Sequence, residues 1–196
     1  MTSNVSVSRH GHYGVCKEIG MRGENRRVVM TCRMIKDALI DLMNDNDFSK
    51  ISISDVCKAA DVNRSTFYSH YKDTKEVLSE IEDDIIARLP DVDDSKSDLK
   101  EAMRSILSFI KENSELITIM VVRRRDDSFV EKLLSTVLAR YEHLSPAISE
   151  VRTRYNYIFC TSGIIGIIKE WISSDFELSL DAFTDIALAL AVKVTT

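Results

Sequence analysis

Hydrophobic residues recur at intervals of three and four along most of this chain, which is the spacing of one face of an α-helix. The clearest stripe predicts a helix from about residue 27 to residue 44. It consists of Ile35, Ala38, Leu39, Leu42 and Met43. The alternation of polar and apolar residues that marks a half-buried β-strand is found nowhere in the sequence. We therefore predict an all-α protein.

Two short helices follow, and each begins with a capping signal. Ser52 and Asp55 match the Ser-x-x-acid capping box at the start of the second helix. Asn63 is the predicted cap of the third helix, in which Phe67 and Tyr71 lie four residues apart and face inward. Because neither helix buries much alone, we predict that both pack on the first helix as a three-helix unit.

Further helices are predicted after this unit. Asp73 caps a fourth helix over about 74–89, with Glu76 completing another capping box. Beyond a charged linker, the periodicity predicts helical segments at about 96–112, 114–123, 127–144, 148–173 and 179–194. Residues 1–26 hold four of the 6 glycines and show no periodicity, so we predict a disordered leader there.

The charge is unevenly divided along the chain. Residues 1–75 hold 12 Lys and Arg against 9 Asp and Glu, whereas the remaining residues hold 14 against 22. An excess of basic residues therefore accompanies the three-helix unit, as contact with phosphate favours, although the net charge of the whole chain is -5. Hydrophobic residues at 44% and charged residues at 29% are typical of a folded globular protein.

The polar residues around the third helix indicate DNA binding. The N-terminal end of a helix favours phosphate, and a guanidinium such as that of Arg64 can form paired hydrogen bonds with a guanine edge in the major groove. The residues predicted to contact DNA are Lys50, Ser52, Ser54, Asn63, Arg64, Ser65, Thr66, Ser69, Lys72 and Lys75. The alternative is that Ser52 and Asn63 serve only as helix caps.

The spacing of these residues resembles the DNA-binding signature of TetR-family bacterial transcriptional regulators. The positions that carry the resemblance are Ile53, Val56, Ala60, Val62, Thr66, Phe67, Tyr68 and Tyr71. The resemblance implies that Tyr68 and His70 also reach the sugar-phosphate backbone. Two positions depart from the family pattern: Asp61 stands where the turn usually has glycine, and Thr74 separates Lys75 from the cap of the fourth helix.

The resemblance also implies the domain organisation. We expect a helix-turn-helix DNA-binding domain at 27–73 and a larger helical bundle at 74–196 that binds a small ligand and dimerises. A ligand in the second domain would tilt the fourth helix and so change the separation of the two recognition helices. We expect a repressor, although the residues do not distinguish repression from activation. Palindromic double-stranded DNA is the expected partner.

Small residues give the segment 148–173 one flat face, which consists of Cys160, Ser162, Gly163 and Gly166, and Ile167 is a further candidate for the same interface. Glycine costs about 1 kcal/mol relative to alanine inside a helix, so its presence indicates the close approach of another helix. We predict a homodimer interface here, and the segment also resembles the interface helix of many TetR-family members. A tight contact within one subunit is the alternative.

Large apolar residues of the later helices are candidates for the lining of a ligand cavity. They are Met103, Phe109, Met120, Phe129, Tyr141, Tyr155, Tyr157 and Trp171. Ordinary core packing is the alternative for each of them. The run Arg123–Arg125 is expected to be exposed at a helix end rather than to bind an anionic ligand.

The sequence offers little for catalysis. It contains no glycine-rich phosphate loop, no His-x-x-x-His pair and no nucleophile motif, so we predict neither an enzyme nor a cofactor. No metal site is predicted, because His10, His12 and Cys16 lie in the predicted leader. The cysteines have no paired spacing and are predicted to be reduced, with Cys57 and Cys160 in the core.

The sequence also bears on location and on the class of partner. With neither a secretion signal nor a long apolar run, we expect a cytoplasmic protein that does not span a membrane. The alternative to a DNA-binding regulator is a ligand-sensing or scaffold protein that keeps this fold and acts through a protein partner.

Overall fold

The computed structural model describes residues 23–90, 99–124, 127–140 and 151–195. Within these ranges the regular elements are helical and no strand is present, which confirms the all-α prediction. The described part of the chain divides into two compact units, one formed by residues 23–46 with 50–78 and the other by residues 47–49 with the described residues from 79 onward.

In the first unit, α1 packs on α2, and α2 packs on α3. The elements are α1 (Gly23–Asp45), a 3₁₀ turn (Phe48–Lys50), α2 (Ile53–Ala59), α3 (Arg64–Tyr68) and the start of α4 (Thr74–Ala87). α4 contributes residues up to Leu78 to this unit and residues from Ser79 onward to the second unit.

The start of α1 differs from the prediction. The helix begins at Gly23 rather than near Arg27, so residues 23–26 of the predicted leader are helical. The apolar stripe does not reach these residues, but a helix propagates beyond its stripe wherever no proline interrupts the hydrogen bonds. His10, His12 and Cys16 lie outside the described residues.

The core of the first unit is formed by side chains from each of its helices. The fully buried ones are Ile35, Leu39, Val56, Phe67 and Val77. Phe67 and Tyr71 face inward as predicted, with ring centroids 6.0 Å apart. Each such side chain contributes about 1.5–3 kcal/mol through burial, so this core holds the short helices α2 and α3 in place.

The turn between α2 and α3 tolerates the absence of glycine. Asp61 adopts a φ of 52°, the left-handed conformation that the turn requires. The N–H of Val62 donates to the Cys57 carbonyl at 3.0 Å, and the N–H of Asp61 lies 3.4 Å from the Lys58 carbonyl. This pair of bonds is a Schellman motif, with aspartate at the position where glycine is commonest.

In the second unit, α5 packs on α9, and α8 packs on α6 and α9. Its further elements are α5 (Leu99–Glu112), α6 (Ser114–Thr118), a π-helix (Ile119–Arg123), α7 (Ser128–Arg140), α8 (Val151–Ser173) and α9 (Leu180–Thr195). Their bounds agree with the predicted segments to within a few residues.

The π-helix is the main departure from a regular helical pattern. The single predicted helix at 114–123 is instead one turn of α-helix followed by Ile119–Arg123, where the N–H of Arg124 donates to the Ile119 carbonyl at 3.2 Å. Ile119, Met120 and Val121 are all buried, so three consecutive residues point into the protein. The wider π-turn changes the directions of these side chains relative to those in a regular α-helix.

Trp171 anchors the end of α8. Its ring stacks on Phe183 with centroids 4.3 Å apart, and its indole N–H donates to the Leu178 carbonyl at 2.9 Å. The helix then ends in a second Schellman motif, in which Asp175 and Phe176 have φ values of 54° and 57°. The ring of Phe176 meets Trp171 edge-on at 4.9 Å, and this contact holds the left-handed turn.

Candidate DNA-binding surface

The start of α2 is fixed by the predicted capping box. The backbone N–H of Ser52 donates to Asp55 Oδ2 at 2.9 Å, and the N–H of Asp55 donates to Ser52 Oγ at 3.2 Å. The Ser52 hydroxyl also donates to Asp55 Oδ2 at 2.6 Å. These bonds from the side chain and backbone of Ser52 hold the pKa of Asp55 below its ordinary value.

The start of α3 is capped by Asn63, also as predicted. Its Oδ1 atom accepts the backbone N–H of Thr66 at 2.7 Å and the hydroxyl of Ser65 at 2.6 Å. Asn63, Arg64 and Ser65 are exposed, whereas Phe67 in the same short helix is fully buried. The cap therefore leaves the polar start of α3 facing solvent.

The outer face of α3 carries Arg64 and Tyr68, one helical turn apart. Tyr68 is 56% exposed, and its ring meets the buried Phe67 edge-on at 5.8 Å. Arg64 Nη2 donates a hydrogen bond to Ser54 Oγ on α2. The hydroxyl of Ser69 donates to the Thr66 carbonyl at 2.7 Å.

The flanking residues are also accessible. The lysines Lys50, Lys72 and Lys75 are exposed, and His70 is half-buried. Basic side chains therefore lie just before α2 and around the start of α4, and α3 lies between these two positions in the sequence.

The predicted capping box of α4 is wrong in one detail. The N–H of Glu76 donates to Asp73 Oδ1 at 2.9 Å, so Asp73 caps the helix. The carboxylate of Glu76, however, accepts the N–H of Lys72 at 2.7 Å, one residue before the cap. The longer reach of glutamate allows this bond, and it fixes the backbone between α3 and α4.

Two family models match this chain. Residues 35–81 match the model described as bacterial regulatory proteins, tetR family, and residues 97–193 match that of a transcriptional regulator C-terminal region. The chain belongs to the TetR family. It is a DNA-binding transcriptional regulator, and the first match includes α2 and α3.

Two known regulators resemble the chain over most of its length. The HTH-type dhaKLM operon transcriptional activator DhaS of Lactococcus lactis subsp. lactis (strain IL1403) is 27% identical over 157 residues, which are 75% of this chain and 82% of that protein. A TetR transcriptional regulator from Streptococcus agalactiae 2603V has the same fold, with a TM-score of 0.68 and 24% identity over 86% of this chain and 97% of that one.

A solved structure titled dihydroxyacetone kinase operon activator DhaS gives a TM-score of 0.52. Its identity is 24%, and the match covers 84% of this chain and 96% of that structure. At this level of identity, the structural likenesses show a shared fold.

A second feature of this TetR-family chain is an apolar face on α8. Tyr155 and Phe159, one turn apart, are 70% and 67% exposed, and Ile158 is exposed beside them. A Cβ atom added at Gly163 or Gly166 would meet nothing within 4 Å, so no contact within the described part of the subunit accounts for these glycines. Ile167 is half-buried, and the side chain of Cys160 lies outside the described residues.

The candidate ligand-lining residues do not all face the interior. Met120, Phe129 and Trp171 are buried, whereas Met103 and Phe109 are half-buried. The high exposure of Tyr155 contradicts its assignment to a cavity within the subunit, because it lies on the apolar face of α8. Tyr141 and the side chain of Tyr157 lie outside the described residues.

The arginine run was predicted incorrectly at its centre. Arg123 is exposed, but only 8% of the Arg124 side chain is, and its Nη1 lies 2.5 Å from Glu82 Oε1 on α4. Lys132 Nζ on α7 lies 3.6 Å from Glu82 Oε2 and 2.8 Å from Asp83 Oδ1. We call Glu82, Asp83, Arg124 and Lys132 the ion cluster. No spacing in the sequence indicated it, because its charges come from three separate segments.

Within the described ranges, no group of three or more His, Cys, Asp or Glu residues is placed to hold a metal ion. The helices of those ranges are too short or too polar to cross a bilayer. Cys57 is buried, as predicted.

Proposed function

We propose that this TetR-family regulator binds a palindromic operator as a homodimer, with the N-terminal end of α3 in the major groove. The observation that supports this most directly is the two-sided character of α3. Asn63, Arg64 and Ser65 are exposed at its start, while Phe67 anchors its other side in the core. A two-fold dimer would present two such ends to half-sites about 34–36 Å apart, or a multiple of that distance.

The residues of this surface have different proposed roles. Arg64 reads a base edge, because its guanidinium presents paired donors, whereas Lys50, Lys72 and Lys75 position the protein on phosphates. The remaining proposed contacts to the DNA backbone come from Ser52, Ser54, Asn63, Ser65, Thr66, Tyr68, Ser69 and His70. The proposed function includes no catalytic step.

The test begins with selection of bound sequences from a random pool of duplex DNA. Recovery of a palindrome, with affinity that falls steeply as salt rises, is expected. Arg64→Ala should lower affinity and blur the base preference, whereas Lys72→Ala should weaken binding to every sequence about equally. Failure of the wild-type protein to enrich any sequence would contradict the proposal.

We also propose that the apolar face of α8 joins the two subunits. Exposed aromatic residues at 155 and 159 and an open surface at Gly163 and Gly166 would bury against the same face of a second copy. Gly166→Leu should shift sedimentation towards monomer, and Ser135→Leu on α7 serves as a control with the same added side chain. A dimer that is unchanged in Gly166→Leu would contradict this interface.

The proposed effector is a small molecule bound by the second unit. Met103 and Phe109 are half-buried and remain the better candidates for contact with it, because Trp171 already stacks on Phe183 and has its N–H bonded. Small metabolites would be screened for release of the selected DNA. An effector must bind the DNA-competent and the released arrangement with different affinities, since only that difference shifts their populations.

We propose repression as the sign of regulation, by occupation of an operator that overlaps a promoter. Activation is the second candidate, because the Lactococcus relative is named as an activator. A reporter driven by the promoter beside the selected operator distinguishes them. Deletion of the regulator raises reporter expression if the protein represses and lowers it if the protein activates. We also propose a cytoplasmic location, which binding to an operator requires.

A further inference from the structure

The side chain of Arg64 is tied to the helix that precedes its own. Arg64 is the first residue of α3, and its Nη2 donates to Ser54 Oγ on α2, a residue ten positions earlier. Both residues are exposed. The bond therefore holds the end of a long, flexible side chain at the surface where the proposed function places DNA.

The other polar groups at the start of α3 are held differently. Asn63 Oδ1 accepts from the N–H of Thr66 and from the Ser65 hydroxyl, so these groups are fixed by their own helix. Arg64 has no comparable bond to its own cap among the described interactions, and its orientation is set across the α2–α3 turn. The Schellman motif at Asp61 fixes the conformation of that turn.

We propose that Ser54 is a positioning residue that sets the base preference of Arg64. This inference rests on the proposed function. A guanidinium has five N–H donors, so the bond to Ser54 leaves enough of them for the paired contact with a guanine edge. Ser54 accepts from Arg64 and keeps its own O–H as a donor, so it can bond to a phosphate while it holds the arginine.

The physical gain is pre-organisation. An unrestrained arginine loses much of its rotamer freedom when it binds a base, and a side chain already held in place loses less. The immobilisation of one such side chain is worth about 3- to 10-fold in affinity. Removal of the Ser54 hydroxyl should therefore lower discrimination at the base pair read by Arg64 by about that factor.

The test is a double-mutant cycle on the DNA recovered from the random pool. Affinities for that sequence and for its single-base variants are measured for wild type, Ser54→Ala, Arg64→Ala and the double mutant. If Ser54 acts through Arg64, Ser54→Ala lowers discrimination at one position of each half-site, and it lowers discrimination no further in the Arg64→Ala background. Loss of the phosphate contact of Ser54 weakens binding to every sequence equally, so it does not enter this comparison. Additive losses of discrimination would overturn the inference, as would an unaltered base preference in Ser54→Ala.

Two further variants separate positioning from folding. Ser54→Thr keeps a hydroxyl and should keep the base preference, so a loss equal to that in Ser54→Ala would count against the inference. Ser108→Ala removes a helical hydroxyl that bonds to Glu112 in the second unit, and it should leave DNA discrimination unchanged. If the wild-type protein recovers no sequence, the proposed function itself fails. That outcome differs from additive losses of discrimination, which can be measured only in a protein that binds DNA.

Discussion

The α2–α3 surface of the first unit and the ion cluster of the second hold their polar side chains in different ways. Around α2 and α3 the polar groups are exposed, and their partners lie within ten residues along the sequence. In the second unit, the ion cluster places the side chains of Arg124 and Glu82 at 8% and 12% exposure, and these two residues are 42 positions apart in the sequence. The first arrangement is local and exposed to solvent, whereas the Arg124–Glu82 pair is long-range and largely buried.

This difference distinguishes a surface that is suited to binding from a contact that holds two helices together. Exposed caps lose little hydration when they form, and they remain near solvent where DNA can reach them. Buried charges lose most of their hydration, so they are stable only while every member of the set keeps its partners. Within the second unit, Glu82 on α4 is therefore tied firmly to Arg124, at the end of the π-helix.

The largest expected effect separates core from surface within α3. Phe67→Ala should lower the free energy of unfolding by about 3–5 kcal/mol, because it empties a fully buried aromatic position on α3. Its neighbour Tyr68 is the matched control: Tyr68→Ala should cost much less stability but weaken DNA binding. Urea titrations followed by circular dichroism measure the first effect, and equal destabilisation by both variants would contradict the two-sided assignment of α3.

The ion cluster offers the next test. Glu82→Ala should destabilise the protein by about 2–4 kcal/mol, because it leaves the buried charge of Arg124 without its carboxylate partner. Asp83→Ala, one residue later, removes a carboxylate that is 64% exposed, and it should cost at most about 1 kcal/mol. Thermal unfolding of the two variants gives the comparison. Similar losses of stability in both variants would show that the burial of a carboxylate does not determine how much it stabilises the protein.

These two regions also differ in how far the sequence predicts them. The caps at Ser52 and Asn63 and the inward faces of Phe67 and Tyr71 were all predicted, because caps and amphipathic faces depend on residues three or four apart. Asp61 departs from the glycine that is usual at the turn, and it adopts the left-handed conformation. The proposed DNA contacts follow from the same local pattern.

The second unit was predicted less completely, because its distinguishing features depend on contacts between residues that are far apart in the sequence. Arg124 was expected to be exposed, since nothing nearby in the sequence reveals a partner 42 residues earlier on α4. The π-helix at Ile119–Arg123 has the composition of an ordinary helix, so the sequence predicts a continuous α-helix there. The exposure of Tyr155 likewise depends on how α8 packs within the subunit.

A smaller effect is expected at the helix caps. Asn63→Ala should lower stability by about 1 kcal/mol, because the N–H of Thr66 loses its acceptor. Asn113 is a matched control: it occupies the corresponding position before α6 but makes no side-chain capping bond, and its amide donates to the Phe109 carbonyl instead. Asn113→Ala should therefore cost less in the same urea titration. The reverse order would contradict the role of Asn63 as a cap.

The smallest expected effect is a difference in the direction of pH dependence. The pKa of Asp55 is lowered from 3.8 by the bonds from Ser52, so its contribution is present above 3.8 and is lost as pH falls through the folded-state pKa. The pKa of Lys132 is raised from 10.5, first by its hydrogen bond with Asp83, so its contribution is present below 10.5 and is lost as pH rises through the folded-state pKa. Urea midpoints measured against pH should therefore lose part of their acid dependence in Asp55→Asn and part of their alkaline dependence in Lys132→Met. Since the two groups belong to different units, a variant that altered the opposite limb would show that the charges act through the whole protein rather than through their local partners.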